Sequence, residues 1–387
     1  MTRRPKGVPS EEAAEAAVQV AAPPVTDERA PMVAPAHATT TLTGRDHPAL
    51  TLAPREPITS LRFFGHDLPA LQLPSSKRLF TIGAGVCDLV VPRELSTGVS
   101  AFHATLDRVH NALHVQDQDT KNGTYRSLGR PRLASFQVQA GDVFWLADVA
   151  LVPMDTQLEV LRPELARCLG LGRHRAIDEA LELVAEGRPI ALLGPTGTDA
   201  ERLARAIHDS SPQRHNFFLS ITSPPLPPLE HAYGGTVFLD LDHIEKVPAP
   251  YARILFEPAR SLRTIFAAAD DRRVRARIDT YRDKVRTMTL VPLARRPEDF
   301  AHLLALHWIG ELGTRRRVEE LGPGLRQIAH YKWPRNFIEL REHSPRLLAY
   351  LEHEGLRRAA AALGIKHQTL SGHFRRIGFP VLDQSER

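Results

Sequence analysis

The chain has 387 residues, 42% hydrophobic and 25% charged, and 50 Lys and Arg against 45 Asp and Glu leave a net charge of +5. That length exceeds one ordinary core and predicts two or three domains, while the mild positive charge permits a polyanionic partner without demanding one. Two cysteines, Cys87 and Cys168, exclude a disulfide framework. No run approaches the roughly 18 apolar residues a bilayer span requires.

Residues 1–56 are rich in Ala, Pro, Thr and charge and nearly free of aromatics, so a disordered arm is expected there. Glu11, Glu12 and Glu15 interrupt what would be the apolar segment of a signal peptide. With so few cysteines, this predicts a cytoplasmic protein with no membrane partner. Both thiols read as structural.

From Leu61 the texture changes to short β-rich runs separated by turn residues such as Lys121-Asn122-Gly123, which predicts an all-β sandwich over residues 57–155. Leu158 to Glu186 reads as helical. A short apolar strand, Ala191-Leu-Leu-Gly194, then precedes a loop and a helix, and further strands follow at Thr236–Asp240 and Arg263–Ala269. Strands alternating with helices predict an α/β domain with a parallel sheet over residues 156–296, its ligands at the carboxyl ends of the strands. Beyond Pro297 the pattern is all-α.

Four pieces of the β segment come in a telling order: Phe80-Thr-Ile-Gly83, Ser100-Ala-Phe-His103, Asp119-Thr-Lys-Asn122-Gly-Thr124 and Gly141-Asp142. Together they resemble the forkhead-associated (FHA) domain, with its I-G-R, S-x-x-H, S-x-N-G-T and G-D pattern. The resemblance implies a β-sandwich that binds threonine-phosphorylated protein at one loop end. Ser100 and Lys121 would contact phosphate, Asn122 would hold the peptide backbone, and His103 and Gly123 would shape the loops. The departure is Ala84, where the family carries an arginine; Lys77, Arg78 and Arg93 are candidates to replace its charge. A packing module with no ligand is the alternative.

The loop Gly194-Pro-Thr-Gly197-Thr198-Asp199-Ala200 has the frame of a phosphate-binding loop, G-x-x-x-x-G-K, but Asp199 stands at the closing glycine and Ala200 at the lysine. A carboxylate thus sits where a polyphosphate would lie, with no ammonium beside it. This loop, with YGGTVFLDLDHI, LVPLARRPEDFAHLLALH and YKWPRNFIELRE after it, resembles in order the core of sigma-54-dependent transcription activators of the AAA+ class. The resemblance implies a nucleotide site at Gly194, Gly197, Thr198 and Asp240, and a helical lid over residues 297–346.

Residue by residue, that site is degenerate. Leu241 replaces the glutamate that polarises water, and Asp242 follows one position late. Ala267-Ala-Ala-Asp270 lacks the sensing asparagine, Ile338 replaces an arginine, and Arg282 is the one candidate finger. A proline-rich stretch after Phe218 stands where the sigma-contacting loop would be. The expectation is a protein with no cofactor and no ATPase activity, its central domain a spacer or oligomerisation platform packed on Phe238, Leu239, Leu303 and Leu306. Residual nucleotide sensing is the alternative.

Residues 347–387 carry an alanine-rich helix, the turn Leu363-Gly364-Ile365 and a second helix, the spacing of a helix-turn-helix. Ala360 and Ala361 would allow a close crossing, and Ile365, Leu370 and Ile377 would face inward. The segment resembles the Fis-type domain that ends the same activator family. Lys366, His367, Gln368, Thr369, Ser371 and His373 would then face the major groove, and Arg375 and Arg376 the phosphates. Gly372 weakens the helix by about 1 kcal/mol against alanine. The combined expectation is a homo-oligomeric, double-stranded-DNA-binding regulator with a phosphothreonine input; a phosphopeptide-binding scaffold is the alternative.

Overall fold

The computed structural model describes Ala53 and residues 55–127, 129–223, 234–241, 262–279 and 283–380, all within the unit Pro48–Arg387. The first 52 residues, where the disordered arm is expected, lie outside this set, as do Asp242 and Arg282.

Alternating side chains between Ser60 and Met154 fold as two stacked antiparallel sheets. The strands are β1 (Ser60–Phe63), β2 (Leu71–Gln72), β3 (Leu79–Gly83), β4 (Leu89–Val90), β5 (Ala104–Val109), β6 (Ala112–Asp117), β7 (Thr124–Tyr125), β8 (Ser135–Gln139), β9 (Phe144–Leu146) and β10 (Val149–Met154). One sheet has the order β2-β1-β10-β9-β7 and the other β4-β3-β5-β6-β8. Most pairs are antiparallel, with Ala104 opposite Asp117 and Val109 opposite Ala112 in the longest ladder, while the short β4 joins β3 in parallel. β8 shows the half-buried alternation, with Phe136 and Val138 inward. β10 is buried at every residue because helices cover its second face.

The first of these helices is α1 (Thr156–Leu169), entered from β10 through a single residue. Asp155 caps it, its Oδ1 accepting from Leu158 N at 2.9 Å. α1 and α2 (His174–Ala185) pack on the sandwich. One apolar cluster runs from Ile58 and Phe63 through Leu158, Leu161 and Leu181 to Phe238, so the β domain and the α/β domain share a core. Polar bonds edge the seam, from Ser60 Oγ to Glu159 at 2.6 Å and from Gly65 N to the buried Asp178 at 2.8 Å. Gly141, at φ 87, comes so near α2 that a Cβ there would collide with that of Ala185.

The third sheet is parallel and has the order β12-β13-β14-β11-β15. Its strands are β11 (Ile190–Leu193), β12 (Phe218–Ile221), β13 (Thr236–Asp240), β14 (Arg263–Ala268) and β15 (Arg286–Thr289), with α3 (Ala200–Asp209) after β11 and α4 (Arg272–Asp279) after β14. Three of the five, β11, β13 and β14, are buried nearly throughout, as strands covered on both faces must be.

The last layer holds α5 (Phe300–Gly310), α6 (Pro323–Ala329), α7 (Asn336–Glu352), α8 (Leu356–Ala362) and α9 (His367–Arg376). They surround one core that includes Trp308, Trp333, Phe337, Leu347, Phe374 and Phe379. Trp308 donates to Ser344 at 2.7 Å and Trp333 to the Ile328 carbonyl at 3.0 Å, so neither buried indole is left unpaired. α7 runs from the segment expected as the lid into the one expected as the helix-turn-helix. The boundary expected at residue 346 falls inside it, one residue beyond the internal Pro345. Leu303 is buried as expected, whereas Leu306 is 45% exposed. Among the described residues no helix is long and apolar enough to cross a membrane.

Candidate functional site

The loops after β3, β4 and β6 meet at one end of the sandwich, and His103 ties them. Its buried ring accepts from Ser100 N at Nδ1 and donates from Nε2 to the Gly123 carbonyl, both at 3.0 Å. Accepting at Nδ1 fixes the neutral tautomer, and burial lowers its pKa, outweighing the pull of the Gly123 carbonyl and Asp117. Thr120 folds the β6–β7 loop by donating to Asp117 at 3.0 Å and accepting from Gly123 N at 3.1 Å. Asn122 donates to the Gly98 carbonyl at 2.8 Å, which links the second loop to the third. Ser100 is half-buried at the mouth and Lys121 exposed beside it.

Ala84 N donates to the Ser100 carbonyl at 2.9 Å, so the missing arginine would project from directly beside Ser100. Two of its expected substitutes are engaged elsewhere. Lys77 pairs with Asp88, whose carboxyl it holds down to about 2 with help from Thr81, and Arg78 is bidentate to Asp107. Sequence reasoning missed Arg132, which bonds Asp117 at 2.6 Å and Asp119 at 3.2 Å and lies so close over Gly123 that a Cβ there would strike its stem. It braces the loop that presents Lys121 and Asn122.

At the carboxyl end of β11 the loop 194–199 is covered by the start of α7 and the turn before it. The turn Trp333-Pro-Arg-Asn336, with Trp333 and Asn336 at positive φ, lies on it. Asn336 donates to Thr196 O at 2.9 Å and accepts from Leu293 N at 3.0 Å, while Phe337 N donates to Gly197 O at 3.0 Å. A Cβ on Gly197 would run into the Arg335 carbonyl. Thr198 is buried and bonds within the loop, to Pro195 O at 3.0 Å. The aspartate at 199 is not left without a cation, as its sequence neighbours imply. It bonds Arg341 at 2.7 and 2.9 Å and also Arg167, two guanidiniums 142 and 32 positions away in sequence.

Asp240 ends β13 half-buried, and Leu241 packs on the sheet's core. Asp270 is ion-paired with Arg275, which keeps its carboxyl below the usual range. Cys168 is fully buried and its thiol is pushed up to about 12 by that burial, which makes it inert. Among the described residues no group of His, Cys, Asp and Glu could hold a metal ion.

In the helix-turn-helix, Gly364 turns the chain at φ 66, and Leu370 and Ile377 are buried. Ala359 and Ala360 form the close face; Ala361, expected there, is exposed because the helical period carries it past the contact. Lys366, His367, Gln368, Thr369, Arg375 and Arg376 are exposed on or beside α9, and Ser371 is half-buried. His373 is half-buried too, at the edge of that face. Its ring packs 5.6 Å from that of His343 on α7, because position 373 shares the inward side with Leu370, Phe374 and Ile377.

The FHA domain family model matches residues 80–147. The C4-dicarboxylate transport transcriptional regulatory protein DctD of Pseudomonas aeruginosa is 28% identical over 298 residues, covering 54% of this chain and 63% of that protein. The DNA-binding transcriptional activator HyfR of Escherichia coli is 28% identical over 236 residues, covering 46% and 35%. The DNA-binding transcriptional regulator NtrC of Azospirillum brasilense is 25% identical over 236 residues, covering 48% of each. The chain spans less than two thirds of the length of each of these relatives. Similar solved structures include an FHA domain of CT664 from Chlamydia trachomatis, at 22% identity over 25% of this chain and 95% of that chain, TM-score 0.22. NtrX from Brucella abortus is 17% identical over 52% of this chain and 68% of that chain, TM-score 0.35.

Proposed function

We propose that this chain, an FHA domain fused to a region that resembles sigma-54-dependent transcriptional regulators, is a DNA-binding transcription regulator with a phosphothreonine input and no ATPase activity. The observation that carries the reading is the meeting, in one chain, of the FHA loop end around Ser100, His103, Lys121 and Asn122 with a helix-turn-helix whose Lys366, Gln368, Arg375 and Arg376 are exposed. The exposed amide of Gln368 suits an adenine edge, and the two arginines suit phosphates.

ATP hydrolysis needs a cation on the phosphates and a base on the water, and positions 200 and 241 offer a methyl and an isobutyl group. The regulator therefore acts by occupying its sites in the cytoplasm, by blocking or competing there, without ATP-driven remodelling. A single short recognition helix weakened by Gly372 favours a homo-oligomer, in which two copies double the contacts.

The test is genome-wide recovery of DNA crosslinked to the protein, against a variant carrying Lys366→Ala, Arg375→Ala and Arg376→Ala. Discrete peaks lost in the variant are expected. Recovery at background level throughout would turn the reading to a phosphopeptide-binding scaffold.

A further inference from the structure

Asp199 stands where a phosphate-binding loop needs a bare backbone, and its geometry points to a use for the anion. The residue adopts the left-handed conformation that favours glycine, at φ 60 and ψ 36. It occupies the N-cap of α3, yet its carboxylate makes no capping bond to that helix. Both oxygens turn away, Oδ1 to Arg341 Nη2 at 2.7 Å and Oδ2 to Arg341 Nη1 at 2.9 Å and to Arg167. The Asp199 side chain is 5% exposed and that of Arg167 9%.

Three segments converge on this carboxylate: α1 with Arg167, the loop itself, and α7 with Arg341. The arginine that the resemblance places at position 338 is isoleucine here, and Arg341 lies one turn on, on the same side of the helix. Phe337, just before position 338, seats its ring 4.3 Å from the Arg167 guanidinium. The cations that would answer a phosphate are therefore present, displaced by a turn, and a side chain of the protein already satisfies them.

We propose that Arg167 and Arg341, with the 194–199 loop, form an oxyanion site whose resident ligand is the chain's own Asp199 carboxylate, an internal substitute for phosphate that holds the lid closed without nucleotide. The proposal deepens, and rests on, the reading that Ala200 and Leu241 leave the domain without ATPase activity. The clasp reaches the DNA-reading end directly, because α7 carries Arg341 in its second turn and His343, which packs on α9, just beyond. Asn336 and Phe337, at the start of the same helix, bond Thr196 and Gly197 and complete the closure.

The experiment uses the full chain and its thermal midpoint, followed by fluorescence of the buried Trp308 and Trp333. Asp199→Ala is expected to lower the midpoint by roughly 5 °C or more. Millimolar formate, acetate or inorganic phosphate should restore part of that loss in Asp199→Ala, but not in Asp199→Ala combined with Arg341→Met. Asp199→Asn keeps the shape and removes the charge, and serves where the alanine variant does not fold. A midpoint for Asp199→Asn equal to that of the wild type overturns the proposal, as does equal rescue of the single and double variants. A fluorescent ATP analogue bound by the wild-type protein would instead defeat the nucleotide-free reading beneath it, whatever the anions do.

Discussion

Arg341 grips Asp199 with both terminal nitrogens, at 2.7 and 2.9 Å, across 142 positions of sequence. The fork-to-fork geometry is the strongest a side-chain ion pair adopts, and it is shielded on one side, since Asp199 is 5% and Arg341 36% exposed. Breaking such a pair by removing one partner costs more than making it gains, because the survivor stays desolvated. Asp199→Ala leaves the buried Arg167 with only Glu164, at 4.0 Å, and is expected to destabilise by about 3–5 kcal/mol. Arg341→Met leaves Arg167 on the carboxylate and loses a partly solvated partner, so about 1–2 kcal/mol is expected. Chemical denaturation of both variants checks the order.

The same pair sets a pH dependence. Burial alone would raise the Asp199 carboxyl, but the bonds from Arg341 and Arg167 outweigh it and hold it below its ordinary 3.8. A carboxyl depressed in the folded state contributes stability that is present above the unfolded value and lost as pH falls through the folded one. The stability difference between wild type and Asp199→Asn should therefore be flat from about pH 8 to 5 and shrink only in stronger acid. Denaturation midpoints from about pH 8 down into that stronger acid test it.

His343 acts in the same sense, at milder acidity. Burial, with Arg346 and His373 beside it, lowers it to about 4 from the usual 6.5. Between those values the unfolded chain binds a proton that the folded one refuses, so stability falls as pH drops from 6.5 toward 4. Melting of the wild type should shift down over that window, and His343→Phe should flatten the slope. His373 is lowered too, by burial first. The single substitution therefore leaves a residual slope.

At the FHA loops, Lys121→Ala is expected to weaken a phosphothreonine peptide about tenfold, the loss of one charge-assisted contact. Ala84→Arg should strengthen it by a similar factor, because the position adjoins Ser100. Titration of matched phosphorylated and unphosphorylated peptides measures both. An unchanged affinity in Ala84→Arg would mean that the pocket does not centre on Ser100.

On DNA, Arg375→Ala and Arg376→Ala should each weaken all sequences alike and lower the salt slope by about one. Gln368→Ala should change which base is preferred, at about 1–3 kcal/mol for one position. His373→Ala should act on stability, since its ring lies against His343. Binding to a recovered site and to its point variants separates these outcomes.

The fold classes were legible in the sequence because each rests on short-range signals: alternation and turns from Leu61 to Met154, the strand-loop-helix at residues 190–209, and the Leu-Gly-Ile turn at 363–365. The loop end of the sandwich was legible for the same reason, since Ser100 and His103, which bond each other, lie three residues apart. What escaped was contact between distant segments. Asp199 looked bare because both its cations lie far along the chain, and Arg132 braces the Lys121 loop from beyond β7. The shared cores were hidden too, because apolar residues such as Leu158, Leu161 and Leu181 do not declare which neighbour they cover. The half-burial of His373 was hidden as well, since its polarity says nothing of the imidazole of His343 that packs against it.

The seam at Gly141 and Ala185 bears on how such a chain can be taken apart or recombined. Adjacent β and α/β modules joined by a tether can be exchanged between proteins at little loss, since each closes its own core. Here a cut at Asp155 would lay open the outer side of β10 and the facing sides of Leu158, Leu161 and Leu165 together. The sandwich and its α/β neighbour cannot be separated without opening the core they share, and a substitution at Gly141 would work as a wedge between them.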